Sequence, residues 1–212
     1  LPQFLESLPH KRLGDVDLLA SEVAKYRYWG GQTIVEQSLE GIGRDPIGLQ
    51  TVSRMSGVQI VMGAGYDPAR PAPLVLAFHG GGGHAEFMAD EARYGLVGKA
   101  ERAGFVVVFP NGYSRFPGGK FATWNAGGCC GNARDRGVDD VGFVRALVAR
   151  VQSQLSIDGA RIFATGMSNG GMLAHRLACE APDVFRAVAS VAGTDATTRC
   201  APSRPASVLH IH

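Results

Sequence analysis

The chain has 212 residues, 45% of them hydrophobic and 19% charged, with a formal net charge of +2. That is ordinary globular composition, long enough for one domain with a sizeable core and too apolar for a disordered chain. The charge is nearly balanced and holds no Lys/Arg block, which gives no basis for nucleic acid or an anionic membrane as partner, and no apolar run approaches the ~18 residues of a membrane-spanning helix.

Residues 1–54 carry the weakest signals. The chain opens at Leu1 without a basic-then-apolar leader, so any signal peptide is expected to be already removed. Residues 15–28 place Val16, Leu19, Val23 and Tyr26 on one helical face, and Gly30, Gly31, Gly41, Gly43 and Pro46 interrupt any regular pattern after it. A strand is predicted at 58–61 (VQIV), then a turn at 67–71, where two prolines fix φ and remove donors. The run PLVLAFH at 73–79 is continuously apolar, as expected of a parallel strand covered on both faces. A helix at 85–103 and a buried strand at 105–109 (FVVVF) come next. Residues 112–137, rich in glycine and holding Trp124, Cys129 and Cys130, read as a long ordered surface loop. Asp139 and Asp140 then open a helix to residue 155, with Val141, Val144, Val148, Val151 and Leu155 at helical spacing. The two acids suit the helix dipole and its free N–H groups, and take no catalytic role. A strand at 161–165, a helix at 170–179 with Met172, Leu173 and Leu177 turned inward, and strands at 187–191 and 207–211 complete the pattern. Alternating strands and helices predict an α/β fold, a mostly parallel sheet with helices on both faces. The predicted core spans 55–212, preceded by an N-terminal segment, 1–54, without an assigned architecture.

The stretch Gly166-Met167-Ser168-Asn169-Gly170 is a G-x-S-x-G sequence between a predicted strand and a predicted helix. Strand, tight turn with serine, then helix is the nucleophile elbow of α/β-hydrolases, against the alternative of a plain glycine-rich turn. The glycines have a steric purpose, because side chains two residues from the serine would strike the strand or the helix. Ser168 is the candidate nucleophile. His79-Gly80-Gly81-Gly82-Gly83 ends a buried strand, where such a fold places one backbone donor of its oxyanion hole. Gly81, with Gly82 as second choice, and Asn169 are the candidate donors. A phosphate-cradling loop would end in G-K-[ST], whereas His84 comes after Gly83 here.

Trp124, with Asn125, lies in a loop that would overhang the site, either stacking on a substrate ring or closing a pocket wall, or else anchoring its own loop. His79 and His84 read as structural. His175 lies about two turns beyond Ser168, roughly 10 Å along the helix and too far to share its proton. His210 and His212 read as strand-face residues, and Asp195 occupies an alternative acid position of some hydrolases. Metal-ligand spacing is absent. The four cysteines permit two disulfides. Across a trans peptide Cys129 and Cys130 would have Cα atoms ~3.8 Å apart, below the usual disulfide range, so they are expected to pair with Cys179 and Cys200, the order left open. Four buried thiols in a reducing cytosol is the alternative; disulfides and export are preferred.

Several motifs in fixed order carry a resemblance: FHGGGG (78–83), FPNG (109–112), WNAGGCCG (124–131), VDDVGF (138–143), GMSNGGMLAHRLAC (166–179) and VLHIH (208–212). Over residues 66–212 the chain resembles secreted esterases of the polyhydroxybutyrate depolymerase type, which include the feruloyl and acetylxylan esterases of carbohydrate esterase family 1. The resemblance implies an α/β-hydrolase fold and a Ser-His-Asp esterase, extracellular or periplasmic, needing no metal or organic cofactor. Its substrate would be feruloyl or acetyl esters of plant polysaccharide, or a hydroxyalkanoate polyester. In that family VLHIH runs on into a G-x-x-D segment carrying the acid, with the histidine base after one more strand. The C-terminal part of the fold, with acid and base, is therefore expected to be absent from this chain, and the 212 residues alone are expected to have little activity. A catalytically inactive hydrolase-fold binding protein is the alternative reading.

Overall fold

Helices stand between the first four strands of the main sheet in chain order, and every strand of that sheet runs parallel to its neighbours. The computed structural model describes residues 69–116 and 119–212 throughout, together with residues 17, 20, 21, 23, 24, 33–36 and 59–62. The chain divides into two compact units, Leu1–Gly63 and Ala64–His212.

In the first unit, residues 17, 20, 21, 23 and 24 are helical, with Ala20 and Val23 buried and Asp17, Ser21 and Ala24 exposed. This agrees with the helix predicted at 15–28; Val16, Leu19 and Tyr26 lie outside the described residues. Strand β1 (Thr33–Glu36) pairs in parallel with β2 (Gln59–Met62), setting Ile34 opposite Ile60 and Val35 opposite Val61. Sequence patterning predicts no element at β1.

The second unit holds five parallel strands: β3 (Ala72–Phe78), β4 (Val106–Val108), β5 (Ile157–Met167), β6 (Ala187–Val191) and β7 (Ser207–Ile211), in spatial order β4-β3-β5-β6-β7. Six helices connect or flank them: α1 (Ala85–Met88), α2 (Glu91–Tyr94), α3 (Leu96–Ala103), α4 (Gly131–Asp135), α5 (Asp140–Gln154) and α6 (Asn169–Glu180). Side chains alternate across a strand. The register therefore brings Leu74, Leu76 and Phe78 level with Ile162, Ala164 and Gly166, and the last two with Val188 and Ser190, on one buried face. Helix α6 lies on that face and buries Leu173, Ala174 and Leu177, and α5 packs beside it with Val141, Val144 and Val148 inward. The opposite face is covered at β3 and β4, where Ala77 and Val107 meet Met88 of α1 and Ala100 of α3. Helices thus cover both faces of a parallel sheet, the fold class expected from the sequence.

Three expectations need correction. The helix predicted at 85–103 is three helices. Asp90 accepts a hydrogen bond from the Ala92 N–H at 3.0 Å and starts α2, and Gly95 takes the left-handed conformation (φ 60) that separates α2 from α3. Periodicity joined what a cap and a glycine divide. The predicted loop at 112–137 contains helix α4. Finally, the cysteines pair as Cys129–Cys130 and Cys179–Cys200, not across these two sets. The 129–130 peptide is cis and sets the two Cα atoms 3.1 Å apart, where the sequence argument assumed a trans link. Cys130 Sγ also sits 3.8 Å from Met172 Sδ, about 10 Å along α6 from Cys179.

Candidate active site

Ser168 occupies the single residue between β5 and α6, with φ 52 and ψ −119. A non-glycine residue in that region costs about 1–3 kcal/mol and must be held by its surroundings. Here the Ser168 N–H donates to Val191 O at 2.8 Å, and Ser168 O accepts from the Met172 N–H at 2.9 Å. The flanking glycines leave no alternative residue: a Cβ on Gly166 would strike the Gly170 carbonyl group, and one on Gly170 the carbonyl oxygens of Phe78 and His79. A Cβ on Gly193 would stand 2.5 Å from Ser168 O. The strand, the turn and the helix therefore approach as closely as backbones can. Gly166, Asn169 and Gly170 are buried by it, and Ser168 is left exposed.

The glycine loop after β3 lies alongside. Ideal Cβ positions would fall 3.5 Å from Ser168 Cβ for Gly80 and 3.6 Å from Asn169 Cβ for Gly81, and Gly81 is exposed like Ser168. The Gly82 N–H donates to Ala122 O at 2.8 Å and the Gly83 N–H to Gly80 O at 3.0 Å, so both of those donors are engaged. His79 is fully buried beneath this loop. Its Nε2 accepts from the Gly112 N–H at 3.0 Å, which places the ring proton on Nδ1, 2.8 Å from Gly80 O. Burial pushes its pKa below the usual histidine value, so the ring is neutral.

Trp124 is fully buried as well. Its ring meets Phe78 edge-on at 5.2 Å and lies 4.9 Å from the His79 ring, and its indole N–H donates to His79 O at 3.0 Å. The expected contact with a substrate ring does not fit this placement, because no indole face is open to solvent; Trp124 anchors its loop. The Asn169 side chain grips the same residue from the elbow, Oδ1 accepting from the Trp124 N–H at 2.7 Å and Nδ2 donating to Trp124 O at 3.0 Å. Next along, the Asn125 N–H donates to Asp140 Oδ2 at 2.6 Å and Asn125 O accepts from Arg176 Nη1 at 2.7 Å. Burial pushes the Asp140 carboxyl up to about 6, with the Asn125 N–H and Arg176 pulling down and Asp139 adding to the rise.

Sequence reasoning missed Asp140, Arg176 and the side chain of Asn169. Asp139 does cap α5, accepting from the Gly142 N–H at 2.8 Å, but Asp140 points inward. Its signal was present: Asp140, Val144 and Val148 stand four apart on one helical stripe. Among the described residues no side chain hydrogen-bonds Ser168 Oγ. His84 Nδ1 accepts from the Phe87 N–H at 3.2 Å, His175 Nε2 lies 3.2 Å from His210 Nδ1, and Asp195 Oδ1 accepts from Thr197 N and Oγ1. Among the described residues no group of three His, Cys, Asp or Glu is placed to hold a metal ion, and no helix is long and apolar enough to cross a membrane.

The chain is similar to known proteins. Residues 60–201, more than half of the chain, match the family model described as esterase PHB depolymerase. The chain belongs to this family. Among curated relatives of this esterase-family chain is feruloyl esterase C of Emericella nidulans, 31% identical over 159 residues that cover 72% of the chain and 53% of the relative. Feruloyl esterase B of Piromyces equi is 30% identical over 155 residues, covering 69% of the chain and 26% of the relative. The chain thus spans about half or less of these relatives' length. Among solved structures, acetyl xylan esterase from Aspergillus awamori is similar with a TM-score of 0.46 and 23% identity, over 62% of this chain and 44% of that one.

Proposed function

We propose that the protein is a serine esterase that hydrolyses carboxylic esters through an acyl-enzyme. Ser168 Oγ attacks the ester carbonyl, and the N–H groups of Gly81 and Asn169 hold the oxyanion. Collapse of the tetrahedral intermediate releases the alcohol, and water then releases the acid from Ser168. The serine proton passes to a general base, which the family pattern puts after the VLHIH strand. The observation that carries this reading is the elbow: an exposed Ser168 at φ 52 with Gly81 set against Asn169. Engagement of the Gly82 N–H with Ala122 O favours Gly81 over Gly82 as donor.

The names of the two relatives support feruloyl esters as substrate; acetyl esters and hydroxyalkanoate polyester are also within the family's chemistry. Ester hydrolysis of this kind requires no metal or organic cofactor. Two disulfides that use all four cysteines support an extracellular or periplasmic location, since such bonds persist in oxidising compartments.

The test uses the protein as its gene encodes it. A fluorophosphonate probe is expected to label Ser168, and the protein to hydrolyse p-nitrophenyl acetate and methyl ferulate; Ser168→Ala is expected to do neither while keeping its fold. Hydrolysis by the variant at the parental rate would remove Ser168 as nucleophile. An unlabelled, inactive parent would point instead to a hydrolase-fold binding protein.

A further inference from the structure

We propose that Trp124 is a positioning residue of the oxyanion hole, holding the Gly81 and Asn169 donors in register through His79; the inference rests on the assignment of those two N–H groups as the oxyanion donors. The two donors come from segments far apart in the chain, the loop after β3 and the start of α6. Each is aimed by the carbonyl of its own peptide unit, because in a planar trans peptide the C=O and N–H point in opposite directions. The Gly81 N–H shares its peptide with Gly80 O. That oxygen accepts two hydrogen bonds, from His79 Nδ1 at 2.8 Å and from the Gly83 N–H at 3.0 Å. With the carbonyl held inward, the Gly81 N–H is turned outward to the exposed side. The Asn169 N–H shares its peptide with Ser168 O, which accepts from the Met172 N–H at 2.9 Å along α6. The Asn169 N–H is thereby turned out of the helix start, toward Ser168.

Trp124 bridges the two segments through the side chain of Asn169 and the backbone of His79, without itself bonding either peptide. Its backbone N–H and C=O are taken together by the Asn169 side chain at 2.7 and 3.0 Å, a buried pairing that fixes which end of the amide is oxygen. Its indole N–H holds His79 O at 3.0 Å, and the His79 ring in turn holds Gly80 O. A chain of hydrogen bonds therefore runs from the elbow through one tryptophan to the peptide that carries Gly81. All three side chains are buried, Trp124 and His79 completely and Asn169 to 2% exposure, so these bonds have no water to replace them. A hole built this way is formed before substrate arrives.

The decisive variant is Trp124→Phe, which keeps a ring against Phe78 and His79 and the backbone grip of Asn169, but deletes the indole N–H. A second variant replaces Trp124 with benzothienylalanine, isosteric and lacking only the donor, so that a packing defect is separated from the lost bond. Both are made in the protein as its gene encodes it. Losing one oxyanion donor outright costs on the order of 10²–10³ in kcat; loosening one is expected to lower kcat for p-nitrophenyl acetate at least about tenfold, with KM within about twofold. Hydrogen exchange is expected to quicken in peptides covering 79–83 in both variants. Unchanged exchange at 79–83 would overturn the inference, and so would a raised KM for methyl ferulate at unchanged kcat, the signature of a substrate contact. Exchange is read without turnover, so the coupling is decided even if Ser168→Ala shows that the esterase reading is wrong.

Discussion

At the residue scale, Asp140 illustrates how a side chain that supports the site carries a cost with a definite pH signature. Burial raises its pKa from 3.8 to about 6 in the folded protein. Between those values the native state keeps a proton that the unfolded chain has released. Stability contributed by this group is therefore present at low pH and lost as pH rises through the window. The loss is at most about 3 kcal/mol, at 1.36 kcal/mol per unit. Asp140→Asn stays neutral and keeps an oxygen to accept from the Asn125 N–H. It is expected to gain on the parent progressively from pH 4 to pH 6 and to hold that gain above. Urea midpoints at half-unit steps check this, and parallel pH profiles of parent and variant would show that Asp140 is not titrating there. Asp158 and Asp183, whose pKa values are lowered by hydrogen bonds from Arg161 and Arg145, slope the other way but are common to both proteins and cancel.

At the element scale, the elbow depends on α6 being fixed at both ends. Ser168 and Gly170 lock its start against β3 and β6, and the Cys179–Cys200 bond ties its last turn to the loop that leads into β7. That bond closes a loop with a sequence separation of 21. Closing such a loop removes unfolded-state entropy worth about 3 kcal/mol. Cys200→Ser is expected to lose about that much in chemical denaturation. Thiol labelling of the unreduced, denatured parent should find no reactive cysteine, and labelling after reduction four; free thiols before reduction would exclude the observed pairing in solution. Elements bounded by strong local signals were legible: the predicted strands at 187–191 and 207–211 are β6 and β7. Helix α4, of sequence GNARD, offers too little periodicity to be read at all.

At the scale of the molecule, the sheet is covered unevenly. On the face opposite α6, Phe163, Thr165, Met167, Ala187, Ala189 and Val191 are only half-buried, and β7 is exposed along its length, with Val208 at 46%, Leu209 at 59% and Ile211 at 48%. An exposed apolar edge strand is a template for pairing with another chain. Expressed as these 212 residues, the chain is expected to self-associate, and Leu209→Lys to reduce the associated fraction several-fold by placing a charge on that edge. Sedimentation velocity over a range of concentrations measures this. A parent that stays monomeric, or a variant that associates equally, would show that the β7 edge does not drive assembly.

The strand–serine–helix elbow was determined by the sequence itself, because its constraint is local. Gly166 and Gly170 exist to let backbones touch, and Ser168 stands between a strand and a helix that its neighbours encode. The α/β alternation was legible for the same reason, since strand and helix periodicities are written over a few residues each. Whether Trp124 faces substrate or core was decided only by tertiary structure. Its environment is made by Phe78, His79 and Asn169, which are remote in the chain, and no local pattern records them. The inward turn of Asp140, the proton on His79 Nδ1 and the pairing of Cys179 with Cys200 belong to the same class. Each is settled by a partner that arrives only when the sheet and its helices have come together.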